Sequence, residues 1–234
     1  MKFITSLFAK IRAFFGSIAQ PAAPVATTAA PHIRALLLHL CNQDNAQATW
    51  VARWLAYPLR HPGAKMQTAL LVAGSQGAGK SLLFERIVGP MYGNQAQLGG
   101  VLPRRTFNGW AIGKRYAVLQ DVLVQDLGTG LLKSLIASPN IVVRRAGVPD
   151  IAINNHLNLV LMTAYDFQLG LDSRRLALLT PRNPLPVELA AGVVHEIENG
   201  GLVDFHQYLT QELDMGDFDQ NAKPYDAMER AVAA

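Results

Sequence analysis

One cysteine, Cys41, is all that a chain of 234 residues contains. That excludes an internal disulfide framework and any metal site built from cysteine alone, and it fits a reducing cytoplasm. The six histidines show no metal-ligand spacing either, so no zinc site is assigned. No stretch of about 18 apolar residues runs free of charge, so no membrane-spanning helix is expected. Charged residues make up only 16% of the chain while 50% are hydrophobic, which excludes global disorder and supplies a core. Acidic residues are scarce in most of the sequence. Residues 1–182 hold 7 Asp and Glu against 19 Lys and Arg, whereas residues 183–234 hold 10 against 2, so a basic body precedes an acidic tail. Arginine outnumbers lysine by 14 to 7, a bias that suits oxyanions because a planar guanidinium binds them bidentately. A solvated surface of ordinary composition is the alternative reading of the same charge.

Residues 1–18 place Phe3, Ile4, Leu7, Phe8, Ile11, Phe14, Phe15 and Ile18 on one helical stripe. Lys10 and Arg12 interrupt the apolar core that a secretory signal would need. Such a basic amphipathic helix packs on its own domain or a sister subunit, docks on a partner, or lies on an anionic membrane. Residues 19–31, rich in Ala, Pro and Thr, read as a linker. A globular core is expected over residues 32–182 and an acidic helical C-terminal subdomain over residues 183–234. Ile33 to Leu59 follows a helical pattern that Tyr57-Pro58 should end. Beyond it, the apolar runs Ala69–Ala73, Tyr116–Leu119, Leu157–Thr163 and Leu176–Leu179 alternate with helical pieces. Short buried runs separated by helices predict an α/β fold with a central, mostly parallel sheet covered on both faces.

The sharpest signal is Gly74-Ser75-Gln76-Gly77-Ala78-Gly79-Lys80-Ser81, which fits the P-loop pattern G-x-x-x-x-G-K-[ST]. Chance produces such a match in a chain of this size on the order of one per cent of the time. The context sharpens it, with a strand-like run before and a helix-like run, Leu82 to Val88, stopped by Gly89-Pro90 after. In such loops backbone N–H groups and a helix N-terminus cradle phosphates. Lys80 is then expected to reach the β- and γ-phosphates of ATP, and Ser81 to hold Mg²⁺. A metal-side acid belongs at the tip of a neighbouring strand, and Arg115 to Asp121 is a strand-like run ending in one: Asp121. Asp126 follows in the next loop.

Trp54-Leu55-Ala56-Tyr57-Pro58-Leu59, then His61-Pro62-Gly63-Ala64-Lys65-Met66 directly before the P-loop strand, resembles the superfamily 3 helicase domain of phage and viral primase–helicases, the poxvirus-like and phage-polymerase-associated ATPases. Phe107-Asn108-Gly109-Trp110, Asn158-Leu159-Val160-Leu161, Asp172-Ser173-Arg174-Arg175 and Glu198-Asn199-Gly200-Gly201 extend the similarity, with Tyr208-Leu209 and Pro224, to about Trp50–Met228. The resemblance implies a P-loop NTPase, AAA+-like, that forms hexameric rings, binds ATP between subunits and translocates on nucleic acid, single-stranded DNA foremost. It implies that Arg174 or Arg175 reaches a neighbour's γ-phosphate as an arginine finger. It also implies that Arg144 and Arg145, at a turn through Ala146-Gly147, face the pore and touch phosphates. A charged surface turn and a surface salt bridge are the plain alternatives for these two arginine pairs.

Two departures weaken the catalytic expectation. The family has two acids at the end of the second strand, where this chain has Gln120 before Asp121, and its sensor strand ends in a polar pair where this chain has Thr163-Ala164. Losing one positioned polar group typically costs about 2.7–4 kcal/mol of transition-state stabilisation. Three functions therefore compete: an ATP-driven translocase in phage or mobile-element DNA replication, a nucleotide-gated DNA-binding or assembly module impaired in hydrolysis, and an ATPase tethered to a membrane by residues 1–18. Residues 1–50 are too short for a primase, so a separate primase or polymerase chain is an expected partner of the first.

Overall fold

The computed structural model describes residues 29–74, 76–101, 108–123, 130–164 and 175–221. The stripe at residues 1–18, along with Ser75, Phe107, Asp126, Arg174 and Pro224, lies outside them.

The helical pattern of Ile33 to Leu59 is two helices, α1 (Pro31–Leu40) and α2 (Asn45–Arg60). Asn42 and Gln43 break it by taking left-handed backbone angles, φ 51° and 66°. Asp44 then restarts the helix, its carboxylate accepting from the N–H groups of Ala46 and Gln47 at 2.9 and 3.0 Å. Pro58 does not end α2. A proline in the last turn removes only one backbone bond, and the helix runs on to Arg60, whose guanidinium donates to the carbonyls of Leu209 and Leu213 at 2.8 and 2.6 Å. The start of α1 is capped from a distance. Pro31 brings no N–H, and the Glu196 carboxylate accepts from Ile33 and His32 at 2.7 and 3.3 Å.

All four strands expected from the apolar runs form, and a fifth joins them. β1 (Ala69–Ala73), β2 (Ala96–Val101), β3 (Tyr116–Gln120), β6 (Asn158–Thr163) and β7 (Leu176–Leu179) make one sheet in the order β2-β3-β6-β1-β7, every pair parallel. β2 escaped notice because Ala-Gln-Leu-Gly-Gly-Val has no continuous apolar run and carries an irregularity between Gln97 and Gly100. Buried residues alternate between two clusters. Leu70, Val72, Val118, Val160 and Met162 face α1, α2 and the C-terminal helices α4 (Val187–Glu198) and α5 (Gly201–Gln207). Leu71, Ala73, Ala117, Leu119 and Leu161 face α3 (Gly130–Ala137) and the base of a hairpin. A sheet covered on both faces is what parallel pairing requires.

The hairpin is β4 (Asn140–Arg145) paired antiparallel with β5 (Val148–Asn154), separate from the main sheet and mostly exposed. After the P-loop, Leu82–Val88 is wound as a π-helix and continues beyond Gly89-Pro90 as a 3₁₀ segment to Gln95. Gly89-Pro90 therefore changes the winding instead of stopping the helix, because Pro90 stands in the first turn of the new segment, where no N–H is needed. Among the described residues no helix is long and apolar enough to cross a membrane.

Candidate functional site

Because β1 leads into the P-loop and β6 lies between β1 and β3, three strand tips converge at one edge of the sheet. An open cavity of about 520 Å³ sits there, lined by residues 76–82, Arg86, Gln120, Asp121, Met162, Thr163, Ala164, Leu185 and Val194. Ligands of open α/β sheets bind at this place, outside the carboxyl ends of the strands.

The loop has the backbone its sequence demands. Gly77 and Gly79 take φ 83° and 96°, angles that L side chains rarely adopt. A Cβ on Gly79 would stand 2.8 Å from Leu36 of α1 and 3.3 Å from Leu185, so the loop is also wedged between the two ends of the described fold. Leu185 donates its N–H to the carbonyl of Gly77 at 2.9 Å, and Gly74 donates to Thr163 at 3.3 Å. The Lys80 ammonium folds back onto the carbonyl of Gly74, and partial burial lowers its pKa. Ser81 is exposed on the cavity wall.

Of the residues singled out in the sequence, the structure brings Gln76, Gly77, Ala78, Gly79, Lys80, Ser81 and Asp121 around one cavity, with the Gly74 carbonyl bonded to Lys80. Asp121 is exposed and holds φ 52°, a left-handed angle at the end of β3. Arg175 is elsewhere. It immediately precedes β7, whose Leu176 pairs with Ala69 at the start of β1, so it belongs to the opposite edge of the sheet, on the order of 15 Å from the P-loop. Arg144 and Arg145 are exposed at the end of β4, next to the hairpin turn. Arg144 is ion-paired with Asp150 at 3.0 Å, and Arg145 lays its aliphatic stem against Gly109. Asn108 clamps the hairpin, accepting from the Arg144 N–H at 2.8 Å and donating to Val142 at 3.0 Å.

Three contributors went unread in the sequence. Leu185 and Val194 give the cavity an apolar wall from the C-terminal segment. Glu85, on the π-helix, accepts from the Gln120 side-chain amide at 2.6 Å. No short motif marks any of these three; their place follows from packing.

No cluster of three or more His, Cys, Asp or Glu suited to a metal ion occurs among the described residues. Mg²⁺ needs none, since it keeps several waters and takes one or two protein ligands plus phosphate oxygens. A serine hydroxyl and one carboxylate facing the same cavity fit that pattern.

Residues 72–175 match the model of a family of unknown function, DUF5906. No curated protein matches the sequence. The fold is similar to that of the C-terminal region of NrS-1, with a TM-score of 0.71 and 19% identity over 92% of this chain and 54% of that one. A second structure of that region gives 0.71 and 21%. JCV helicase in complex with a small-molecule acetamide gives 0.50 and 16%, over 89% of this chain and 61% of that one. The chain thus spans about half the length of the NrS-1 structures. At these identities what is shared is the fold, an α/β domain with a mostly parallel sheet flanked by helices.

Proposed function

We propose that the chain is an ATP-binding, superfamily 3 helicase-like ATPase that works as a ring, hexameric as the poxvirus-like and phage-polymerase-associated resemblance implies, and moves on single-stranded DNA in phage or mobile-element replication. The observation that carries this reading is the convergence of the P-loop, Asp121 and Thr163 on one cavity at the tips of a parallel sheet. Lys80 exchanges the Gly74 carbonyl for phosphate oxygens when nucleotide enters. Ser81 and Asp121 hold Mg²⁺, which when bound neutralises charge developing on the phosphates. Water forms a bond to the γ-phosphorus, the bond from that phosphorus to the bridging oxygen breaks, and ADP and phosphate leave. Arg175, or Arg174 beside it, acts in a neighbouring subunit's site, which its place at the far edge of the sheet supports. Arg144 and Arg145 contact nucleic-acid phosphates from the hairpin tip.

A second reading, a nucleotide-gated module that hydrolyses poorly, is favoured by Ala164, which lines the cavity with no polar group, and by Gln120 in place of an acid. Hydrolysis by purified protein with and without single-stranded DNA, beside Lys80→Ala, separates the two. The motor reading expects DNA-stimulated turnover that Lys80→Ala abolishes, together with loss of nucleotide binding. Lys80-dependent binding without turnover sinks it and leaves the gated module.

A further inference from the structure

The amide of Gln120 has a fixed orientation, and the residue that fixes it is Glu85. An ionised carboxylate only accepts hydrogen bonds, so at 2.6 Å from Glu85 Oε1 the end of the Gln120 amide must be nitrogen. The flipped amide would set oxygen against oxygen. Glu85 is half-buried, and among the described residues no Lys or Arg pairs with it, so the Gln120 N–H is its polar partner from the strand tips. With one N–H committed to Glu85, the amide is turned so that Oε1, a pure acceptor, is directed away from that carboxylate, on a residue that lines the cavity with Asp121 and the P-loop. An acceptor held at that place binds a donor, and the donor supplied by hydrolysis is the attacking water.

We infer that Gln120 orients the attacking water through its side-chain oxygen and that Glu85 is the positioning residue that turns the amide to do so. The inference rests on the ATPase reading above. It changes the meaning of the missing acid. Gln120 takes no proton, since an amide is no base; it aligns the water, whose proton ends on the departing phosphate. The carboxylate absent from the tip of β3 stands one helical turn beyond the P-loop and acts through the amide.

The test is a reciprocal exchange in the full chain, read by both turnover and thermal unfolding. In Gln120→Glu two carboxylates face each other at the 2.6 Å contact, so the unfolding midpoint and turnover both fall. In Glu85→Gln the partner can donate or accept, the Gln120 amide loses its fixed direction, and kcat falls about 10- to 100-fold with the KM for ATP nearly unchanged. The double variant Glu85→Gln/Gln120→Glu restores one carboxylate and one amide in reversed order. It is expected to regain the wild-type midpoint and to exceed both single variants in kcat. Glu85→Gln with wild-type kcat, or a double variant no better in midpoint and kcat than the worse single one, overturns the inference. A loss in Glu85→Gln that lies wholly in KM overturns it too. Wild-type protein without any turnover removes the ATPase reading itself, and the inference with it.

Discussion

Asp121 combines the metal-binding role proposed for it with a backbone angle that only a few residue types tolerate. Its φ of 52° is easy for glycine and acceptable for aspartate and asparagine, but costs other L-residues about 1–2 kcal/mol. Asp121→Gly is therefore expected to match or exceed the wild-type unfolding midpoint while losing Mg²⁺-dependent hydrolysis, and Asp121→Ala to lose both. Thermal unfolding beside a phosphate-release assay reads the two effects separately; a glycine variant that melts earlier than wild type contradicts the backbone account. At this scale the sequence was most legible where geometry follows from residue type. The P-loop spacing dictates Gly77 and Gly79 at positive φ, and both adopt it. Glu85 was not legible, because a π-wound helix departs from the 3.6-residue period that assigns side chains to faces.

Among the elements, the loop leading into β1 is fastened to the start of β6 by side chains alone. Asn158 accepts from Met66 N–H at 2.8 Å and donates to Ala64 and Arg115, while His156 Nδ1 meets the Gly63 carbonyl at 2.6 Å. Lys65 adds an ammonium that donates to the carbonyls of Leu157 and Met66 at 2.6 and 3.0 Å, and burial brings its pKa from 10.5 down to about 7. A lysine whose folded pKa is depressed penalises the fold where it must be charged. Between about 7 and 10.5 the unfolded chain holds more protons, so stability rises with pH across that window. The unfolding free energy of wild type minus that of Lys65→Met should climb through it; a flat difference rules out Lys65 as the source. The strands were readable because parallel strands buried on both faces form unbroken apolar runs. β2 was not, since its Gly-Gly interrupts the run, and neither was the break between α1 and α2, since Asn42 and Gln43 are polar residues in an otherwise continuous helical pattern.

For the whole molecule, the separation of Arg175 from the P-loop makes the proposed ring assembly testable. If the site is completed by a neighbour, Arg175→Ala and Lys80→Ala each inactivate a uniform ring, but a mixed ring contains interfaces with both an intact P-loop and an intact arginine. Mixing the two inactive proteins is then expected to restore part of the hydrolysis, and a mixture as inactive as its components would argue against a shared site. The same topology bears on synthesis. β1, which carries the P-loop, sits in the sheet between β6 and β7, the last two strands among the described residues, and the loop is wedged between Leu36 and Leu185. A nascent chain emerging from the ribosome therefore holds its P-loop strand unpaired until β6 and β7 have followed it out, and contacts so distant in sequence form slowly. Until then an apolar strand edge is open to other chains, so the interval between making β1 and making Leu185 is when this protein is most exposed to aggregation and most dependent on chaperones.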